Sequence, residues 1–365
     1  MKYITADFCP GFRCKCGDCR DNCCGGWPVT ISREEYDRIL GADCSPEYRE
    51  ELKAALRLNF APEDGRYAHI VHDKAGKCRL LRPDGLCGLQ LTLGEAVLPA
   101  VCRLYPRNRR RVGGVNECAL SMSCEAVTEA LLTSREPLRL VETEIDEAPL
   151  FPIEMTEEQK ARCARALELM SDRRETLPER FDRMGEELFG CGEPCEEEAG
   201  RLEAIRVLHR LTQECSGKTK VAGLLCSETL ARFGTERKEK LSREEAEELL
   251  RRYGEASALV LGRWRDWPEA AERLLVNHMF YNSFPHVGGT SDGERAFEGL
   301  CTVYAFVKFV AVGTLAERES REEAVDVLAK LGRLVEHSDL KYRAAQAFRR
   351  QKEYCPGCWR ELVRL

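Results

Sequence analysis

Residues 14–27 read Cys-Lys-Cys-Gly-Asp-Cys-Arg-Asp-Asn-Cys-Cys-Gly-Gly-Trp, so five cysteines fall within fourteen residues. The glycines allow backbone conformations with positive φ, which a chain needs when it wraps several thiolates around one centre. Adjacent cysteines beside Gly25-Gly26 are also a poor way to fill a hydrophobic core. We therefore predict a loop-rich module that binds a metal ion or an iron-sulfur cluster, without a regular helix or strand through this stretch.

The cysteines are concentrated towards the N-terminus, with twelve of the 20 in the first 124 residues. The start, Met1 to Asp7, has no apolar segment and no small-residue cleavage site, so we expect no secretory signal and a cytoplasmic protein. Disulfides are rare in a reducing cytosol, which favours metal ligation for a dense cluster. We expect ordinary buried side chains at the isolated positions Cys44, Cys163, Cys215, Cys226 and Cys301.

A second group of cysteines complements the first. It consists of Cys78-x8-Cys87 followed by Cys102, and four soft thiolates are what a tetrahedral metal or a cubane cluster requires. The spacing does not choose between zinc and iron-sulfur. Two further pairs remain open: Cys191-x3-Cys195, in a Gly/Pro turn with no second pair nearby, and Cys355-x2-Cys358, a ligand pair, a disulfide or a helix-terminating turn.

Composition excludes two broad classes. The 365 residues carry 56 Lys+Arg against 62 Asp+Glu, a net charge of -6, which argues against a dedicated nucleic-acid binder. The most apolar segment, about 300–315, is interrupted by Lys308 and is shorter than the roughly 20 residues of a membrane-spanning helix. We expect neither nucleic acid as a partner nor membrane insertion.

The sequence after Cys124 predicts helices almost throughout. Serine or threonine followed three residues later by glutamate or glutamine forms capping boxes that begin helices, at Ser32, Thr156, Ser242 and Ser320. Residues 66–73 and 77–81 are strand-like and predict a small hairpin. The expected fold is mainly α, with a cysteine-rich, loop-rich N-terminal module that carries a short hairpin (1–135) and an α-helical domain of eight or nine helices (136–365). Residues 136–152 and 284–294 are predicted linkers or surface loops.

Several motifs together resemble one known family, the flagellin lysine-N-methylases. They are Phe12-x-Cys14-x4-Cys19-Arg-Asp-x-Cys23-Cys24-x-Gly26-Trp27, Cys78-x-Leu80-Leu81-x4-Leu86-Cys87, Cys102-x2-Tyr105-Pro106-Arg107 and Leu120-Ser121-x-Ser123-Cys124. The cysteine-rich head also resembles zinc- or iron-chelating modules. The resemblance continues more weakly through Leu275-Val276-Asn277-His278-x2-Tyr281 and Arg333-Leu-Val-Glu336-His337-Ser338, and so spans most of the chain.

The resemblance implies methyl transfer from S-adenosylmethionine to surface lysines of flagellin, or of another lysine-bearing protein, by an enzyme with a [4Fe-4S] cluster. Eight cysteines match the pattern as metal ligands: Cys14, Cys19, Cys23, Cys24, Cys78, Cys87, Cys102 and Cys124. One cluster needs four, and the first choices are Cys19, Cys23, Cys87 and Cys102, with zinc as the alternative metal.

The chemistry is less completely defined by the sequence. Radical adenosylmethionine enzymes use Cys-x3-Cys-x2-Cys, whereas the order here is the reverse, Cys16-x2-Cys19-x3-Cys23, which favours in-line displacement at the sulfonium methyl. That reaction needs a neutral lysine, whose usual pKa is ~10.4, held close to the methyl group. Candidates for its deprotonation are Tyr105, His278, Tyr281 and His337, none of which is assigned as catalytic.

The donor pocket is not located by any motif, because no Gly-rich strand-turn-helix is present. Arg107 lies in a basic run, Arg103 to Arg111, that predicts either a solvated loop or a site where Arg107 binds a carboxylate of the cofactor or of a structural acid. The rival function is a non-catalytic or electron-transfer metalloprotein with a helical partner-binding body. A metal-storage or metal-insertion protein is a weaker alternative.

Overall fold

The computed structural model describes residues 1–25, 29–74, 76–190, 195–217, 222–286, 293–347 and 357–365. The chain forms two compact units. The cysteine unit comprises residues 13–107, and the helical unit comprises residues 1–12 and 108–365. Residues 1–12 and 108–135, which the sequence grouped with the N-terminal module, thus belong to the helical unit.

Helices dominate the described residues, which confirms the mainly α fold. The strands are β1 (Lys2–Ala6), β2 (Thr30–Ile31), β3 (Leu56–Glu63), β4 (Arg66–Ile70), β5 (Arg107–Val112), β6 (Val115–Leu120), β7 (Leu140–Glu144) and β8 (Phe151–Ile153). The first five helices are α1 (Arg33–Gly41), α2 (Pro46–Ala55), α3 (Gly88–Leu93), α4 (Ala100–Leu104) and α5 (Glu125–Thr133). The others are α6 (Glu157–Met170), α7 (Leu177–Phe189), α8 (Glu197–Ser216), α9 (Ala222–Arg232), α10 (Arg243–Arg263), α11 (Trp267–Asn282), α12 (Gly293–Leu315), α13 (Arg321–Glu336), α14 (Leu340–Ala347) and α15 (Trp359–Arg364).

The cysteine unit is built on a small antiparallel sheet of order β2-β4-β3. Ile31, Ile39, Leu52 and Leu89 are almost completely buried between this sheet and helices α1 to α3. The predicted hairpin is present, but β4 pairs with β3 instead of with residues 77–81. Residues 77–81 form isolated bridges and turns, so this segment is an irregular loop and not a strand.

A five-stranded sheet of order β7-β1-β6-β5-β8 lies in the helical unit. Its β5–β6 hairpin turns through Gly113 (φ 48°) and Gly114 (φ 88°), where two consecutive positive φ angles favour glycine. The prediction that residues 136–152 are a linker is wrong, since β7 pairs with β1 and β8 pairs with β5. The solvated-loop interpretation of the basic run is also wrong for Arg109 and Arg110, which are buried in β5.

The helical unit is organised around α12. This helix packs against α9, α13, α14 and α15, and Phe297, Phe306 and Phe309 on it are fully buried. With 23 residues, α12 is longer than the predicted apolar segment. Among the described helices it is the one long and apolar enough to cross a membrane. However, 89% of its most apolar 18-residue stretch is buried inside the unit. The four predicted capping boxes are all formed. Ten α-helices follow residue 136 in the described ranges, against the eight or nine expected.

Burial of Lys308 on α12 makes the stability of the unit depend on pH. Burial alone lowers the pKa of Lys308 from 10.5 to about 8, which corresponds to about 3 kcal/mol of destabilisation at neutral pH. Between pH 8 and 10.5 the unfolded chain binds the proton that the folded chain has lost, so stability rises with pH across this window. Lys308→Met is expected to raise the free energy of unfolding at pH 7 by up to ~3 kcal/mol and to flatten that rise. Urea denaturation at pH 7, 8.5 and 10 tests this, with exposed Lys240→Met as the control; a variant no more stable than the parent at pH 7 contradicts it.

Candidate functional site

Three segments far apart in sequence meet in the helical unit. They are the turn that follows β6, the C-terminal end of α11 and the C-terminal end of α13. We call the residues that they bring together the hydroxyl cluster: Ser121, Ser123, Tyr281, Glu336 and His337. All three segments belong to motifs that carried the family resemblance, although the sequence proposed only Tyr281 and His337 as functional residues.

The geometry of the hydroxyl cluster is defined by hydrogen bonds. Ser123 Oγ lies 2.8 Å from His337 Nε2, and Ser121 Oγ lies 3.4 Å from the same nitrogen. Ser121 Oγ donates to the Glu336 carboxylate and is hydrogen-bonded to Ser123 Oγ. Both serines are buried, whereas Glu336 is half-buried and His337 is exposed. The cluster therefore links a buried pair of hydroxyls to two proton-accepting groups nearer to solvent.

Neighbouring side chains hold the backbone of this turn in place. Asn277 Nδ2 donates to the carbonyl of Leu120 at 2.9 Å, and Thr128 Oγ1 donates to that of Met122 at 2.6 Å. Arg333 Nε donates to the carbonyl of Ser123 at 3.4 Å. Because α11, α5 and α13 each contribute one of these donors, the serines are positioned by rigid elements.

Gly332 sets the distance between α13 and the turn. A Cβ atom at this position would come within 2.7 Å of the Met122 carbonyl oxygen. We expect Gly332→Ala to push α13 away and to lower the free energy of unfolding by about 1–3 kcal/mol. Gly254→Ala is the matched control, because Gly254 lies in α10 with no atom near its Cβ position and alanine should stabilise that helix by about 0.5–1 kcal/mol. Equal behaviour of the two variants in urea denaturation would refute the close packing at Gly332.

Tyr281 joins the cluster from α11. Its hydroxyl lies close to Ser121 and Asn108, and burial, reinforced by Glu336, raises the pKa of this hydroxyl well above the usual 10. Arg110 fixes the end of this helix, since its guanidinium donates to the carbonyls of Phe280 and Tyr281. The Tyr281 hydroxyl thus stays protonated near neutral pH and is available as a hydrogen-bonding group.

The other two candidate bases lie elsewhere. His278 is buried one turn earlier on α11, where Asn282 Nδ2 lies 3.2 Å from its Nδ1, and it lines a small apolar cavity with Met122 and Leu275. Tyr105 belongs to the cysteine unit. The structure therefore brings together two of the four predicted candidates and adds Ser121, Ser123 and Glu336 to them.

Within the cysteine unit, a backbone hydrogen bond links the two groups of cysteines predicted from the sequence. The amide of Cys78 donates to the carbonyl of Cys24 at 2.6 Å, and Leu81 is bridged to Cys87. The turn around Gly17 packs on residues 84–86, where a Cβ on Gly17 would lie 3.2 Å from the Asp84 carbonyl oxygen. The fold of this unit therefore holds the N-terminal loop against the 77–88 loop.

Five thiols influence one another's pKa, and we call them the thiol cluster: Cys23, Cys24, Cys78, Cys87 and Cys102. Hydrogen bonding to Cys23, then burial and the other thiols, raises the pKa of Cys24 far above its usual value. The residue Cys102 keeps an exposed surface, but desolvation of its thiol, together with Cys23, Cys78 and Cys87, strongly raises its pKa. Such mutual repulsion among thiolates is what a bound cation relieves.

The other predicted ligands are placed differently. Cys14 is exposed, and Cys16 N donates to its sulfur at 3.3 Å. Burial, with Cys16 and Cys23, raises the pKa of the Cys14 thiol, so Cys14 interacts with the thiol cluster through Cys23. Cys124 belongs to the helical unit and is buried at the N-cap of α5. In the part of the chain that the structure describes, no three His, Cys, Asp or Glu side chains form a group that could hold a metal ion. The ligand set and the role of Arg107 remain predictions.

The two cysteine pairs of the second half of the chain are not independent. Cys195 Sγ and Cys358 Sγ lie 3.2 Å apart, so the view that Cys195 has no second pair nearby is wrong. Their partners in the sequence motifs, Cys191 and Cys355, lie outside the described residues, as do Gly26 and Trp27 of the head motif. A separation of 163 residues along the chain hides this contact from sequence reasoning.

Comparison with known proteins identifies relatives for part of the chain. Residues 193–355 match the family model of the FliB lysine N-methylase C-terminal domain. The lysine-N-methylases of Salmonella typhimurium and Salmonella choleraesuis are each 30% identical over 161 residues, 42% of this chain and 40% of theirs. The flagellar biosynthetic protein FliU of Salmonella muenchen is 29% identical over 146 residues, 39% of this chain and 85% of FliU.

The matched region thus covers 40% of the length of the two curated lysine-N-methylases. No solved structure matches the chain significantly. The family match includes α8 to α14, and therefore Tyr281, Glu336 and His337 of the hydroxyl cluster. Residues 193–355 of this chain are thus similar to the C-terminal domain of the FliB lysine N-methylases.

Proposed function

We propose that this protein is an S-adenosylmethionine-dependent protein-lysine N-methyltransferase that acts on flagellin or a similar surface protein. The observation that carries the proposal is the hydroxyl cluster, in which three motifs of the family resemblance converge and which lies largely within the region related to lysine-N-methylases. The proposal includes a cytoplasmic location and excludes nucleic acid as a partner, in agreement with the acidic composition.

Methylation of lysine requires a neutral, oriented amine, and the hydroxyl cluster supplies groups for both tasks. Bound adenosylmethionine supplies a methyl group on a sulfonium, which leaves as a neutral thioether with the electron pair of the broken S–C bond. Tyr281 and Ser121 orient the lysine nitrogen through hydrogen bonds, and Glu336 attracts its ammonium form. His337, exposed and bonded to Ser123, takes the proton that the nitrogen loses and passes it to solvent.

The thiol cluster is the proposed site of a [4Fe-4S] cluster, with zinc as the alternative. Its members fit the chemistry of such a group, because they are soft ligands that repel one another as thiolates and lie on loops tied together by backbone hydrogen bonds. When bound, the cluster would join the N-terminal loop to the 77–88 loop covalently. Arg107, the last residue of the Cys102 motif, is proposed to bind the carboxylate of a structural acid that supports the cluster.

The test combines metal analysis with methyl transfer. The full chain, purified without oxygen, is assayed for iron, labile sulfide and zinc, then incubated with methyl-labelled adenosylmethionine and flagellin. We expect iron and sulfide in about equal amounts and label on lysine. A cluster-loaded protein that labels no lysine would favour the rival metalloprotein function, and zinc without iron or sulfide would overturn the cluster proposal.

A further inference from the structure

A cavity of about 320 Å³ lies in the helical unit between the five-stranded sheet and helices α6 and α11. Ligand pockets in proteins are typically of this size or somewhat larger, with apolar walls and a few polar groups. Its walls are mainly apolar, with Val112 from β5, Met279 and Phe280 from α11 and Leu167 from α6. It is separate from the hydroxyl cluster residues but is bounded by the same end of α11.

One polar group in the wall of the cavity lacks a partner. Ser283 is 9% exposed, and its Oγ makes no hydrogen bond within the described residues. The residue also has φ 54°, a left-handed conformation that is unfavourable for side chains other than glycine. A buried hydroxyl without a partner costs about 1–3 kcal/mol, which a ligand atom in the cavity would offset.

A carboxylate and an ammonium also line the cavity. Arg110 Nε and Nη2 both donate to Glu117 Oε2, at 3.0 and 2.8 Å, so the pair leaves Oε1 of Glu117 available for another donor. Lys160 lies against the β5–β6 turn, where a Cβ on Gly113 would fall 2.0 Å from its Cε. Lys160 Nζ is paired with Glu157 Oε1 at 2.6 Å, but Glu157 is 90% exposed, so this surface ion pair is weak and a ligand carboxylate can replace it. The cavity therefore offers one carboxylate oxygen of Glu117 and an exchangeable ammonium to a ligand.

We infer that this cavity binds the methyl donor, S-adenosylmethionine. The inference rests on the proposed function and adds to it the donor site that the sequence did not locate. The donor carries a flat base, a sulfonium, an ammonium and a carboxylate. The base matches the apolar walls, the two cationic groups match Glu117, and the carboxylate matches Lys160. The Ser283 hydroxyl completes the polar contacts, and binding here would bring the donor to the end of α11 that carries Tyr281.

The decisive test is a substitution that fills the cavity with a larger side chain. Helix α6 offers a matched pair of positions for it. Ala164 and Ala161 are both exposed, but only Ala164 lines the cavity. Binding of carboxyl-labelled adenosylmethionine to the anaerobically purified full chain is measured by equilibrium dialysis. We expect Ala164→Phe to weaken binding at least tenfold and Ala161→Phe to leave it within twofold of the parent.

A second variant removes only the orphan hydroxyl. Ser283→Gly retains the left-handed conformation at lower strain and removes the unpartnered hydroxyl, so we expect a melting temperature at least as high as the parent's and at least threefold weaker donor binding. Tight binding by the parent and by both cavity variants would overturn the cavity assignment and leave the proposed function standing. A parent protein that binds no adenosylmethionine would overturn the proposed function and this inference together.

Discussion

The double substitution Cys23→Ser and Cys87→Ser is expected to reduce bound iron and labile sulfide to less than about a tenth of the parent level, because each cluster iron needs a thiolate ligand. Cys23 comes from the N-terminal loop and Cys87 from the end of the 77–88 loop, so the double variant removes one ligand from each group. Both thiols, together with Cys78, contribute to the raised pKa of Cys24 and of Cys102. Iron, sulfide and the visible absorption of anaerobic samples provide the measurement.

Cys44→Ser is the matched control for this variant. Cys44 belongs to the same unit and, like Cys87, is half-buried and packs against its hydrophobic core. Unlike Cys23 and Cys87, it is not among the thiols that raise the pKa of Cys24 and Cys102. We expect this single variant to retain its iron. If the double variant keeps its full metal content, the ligands lie among the other predicted cysteines, and Cys19→Ser and Cys124→Ser are the next variants to examine.

Local signals in the sequence predicted local structure well. The four capping boxes form because each needs only two residues three positions apart, and the helices that they begin were found correctly. The strand β3, which pairs with β4, was missed because the sequence pattern of α2 shows no break where the helix ends at Ala55 and the strand begins at Leu56. Only pairing with β4, a tertiary interaction, converts that segment into a strand.

Long-range pairing explains the remaining errors. Arg109 and Arg110 are buried because each finds a carboxylate partner, Glu147 and Glu117 respectively. Nothing in a basic run indicates such partners, so a solvated loop was the natural expectation. In the same way, the contact between Cys195 and Cys358 depends on the docking of α15 against α8.

The hydroxyl cluster shows the same limit at the functional level. Ser121, Tyr281 and Glu336 were all visible in motifs, but a single sequence does not show that residues more than 200 positions apart, such as Ser121 and Glu336, share a hydrogen bond. Serine is also common in turns, so no residue type in the Leu120 to Cys124 motif indicated a functional group by itself. The three motifs form one candidate site only because α11 and α13 pack against the turn that follows β6.

Phenylalanine at Tyr281 is expected to lower kcat for lysine methylation about 100-fold, since misplacing a reacting group by about 1 Å has an effect of this size. The KM for the protein substrate should change little, because most substrate contacts lie away from the reacting amine. The pKa of Tyr281 is raised by burial, so its hydroxyl is protonated throughout the assay range. The variant should therefore keep the shape of the parent pH–rate profile while its rate is lower at every pH.

Tyr304→Phe is the control for this prediction, because Tyr304 is a buried tyrosine of α12 whose hydroxyl pKa burial raises to about 12. Its hydroxyl lies near Trp267, outside the hydroxyl cluster, and we expect its kcat within twofold of the parent. Equal losses in the two variants would show that Tyr281 acts only through stability. A shift of the basic limb of the pH profile in Tyr281→Phe would instead identify Tyr281 as the base itself, in place of His337.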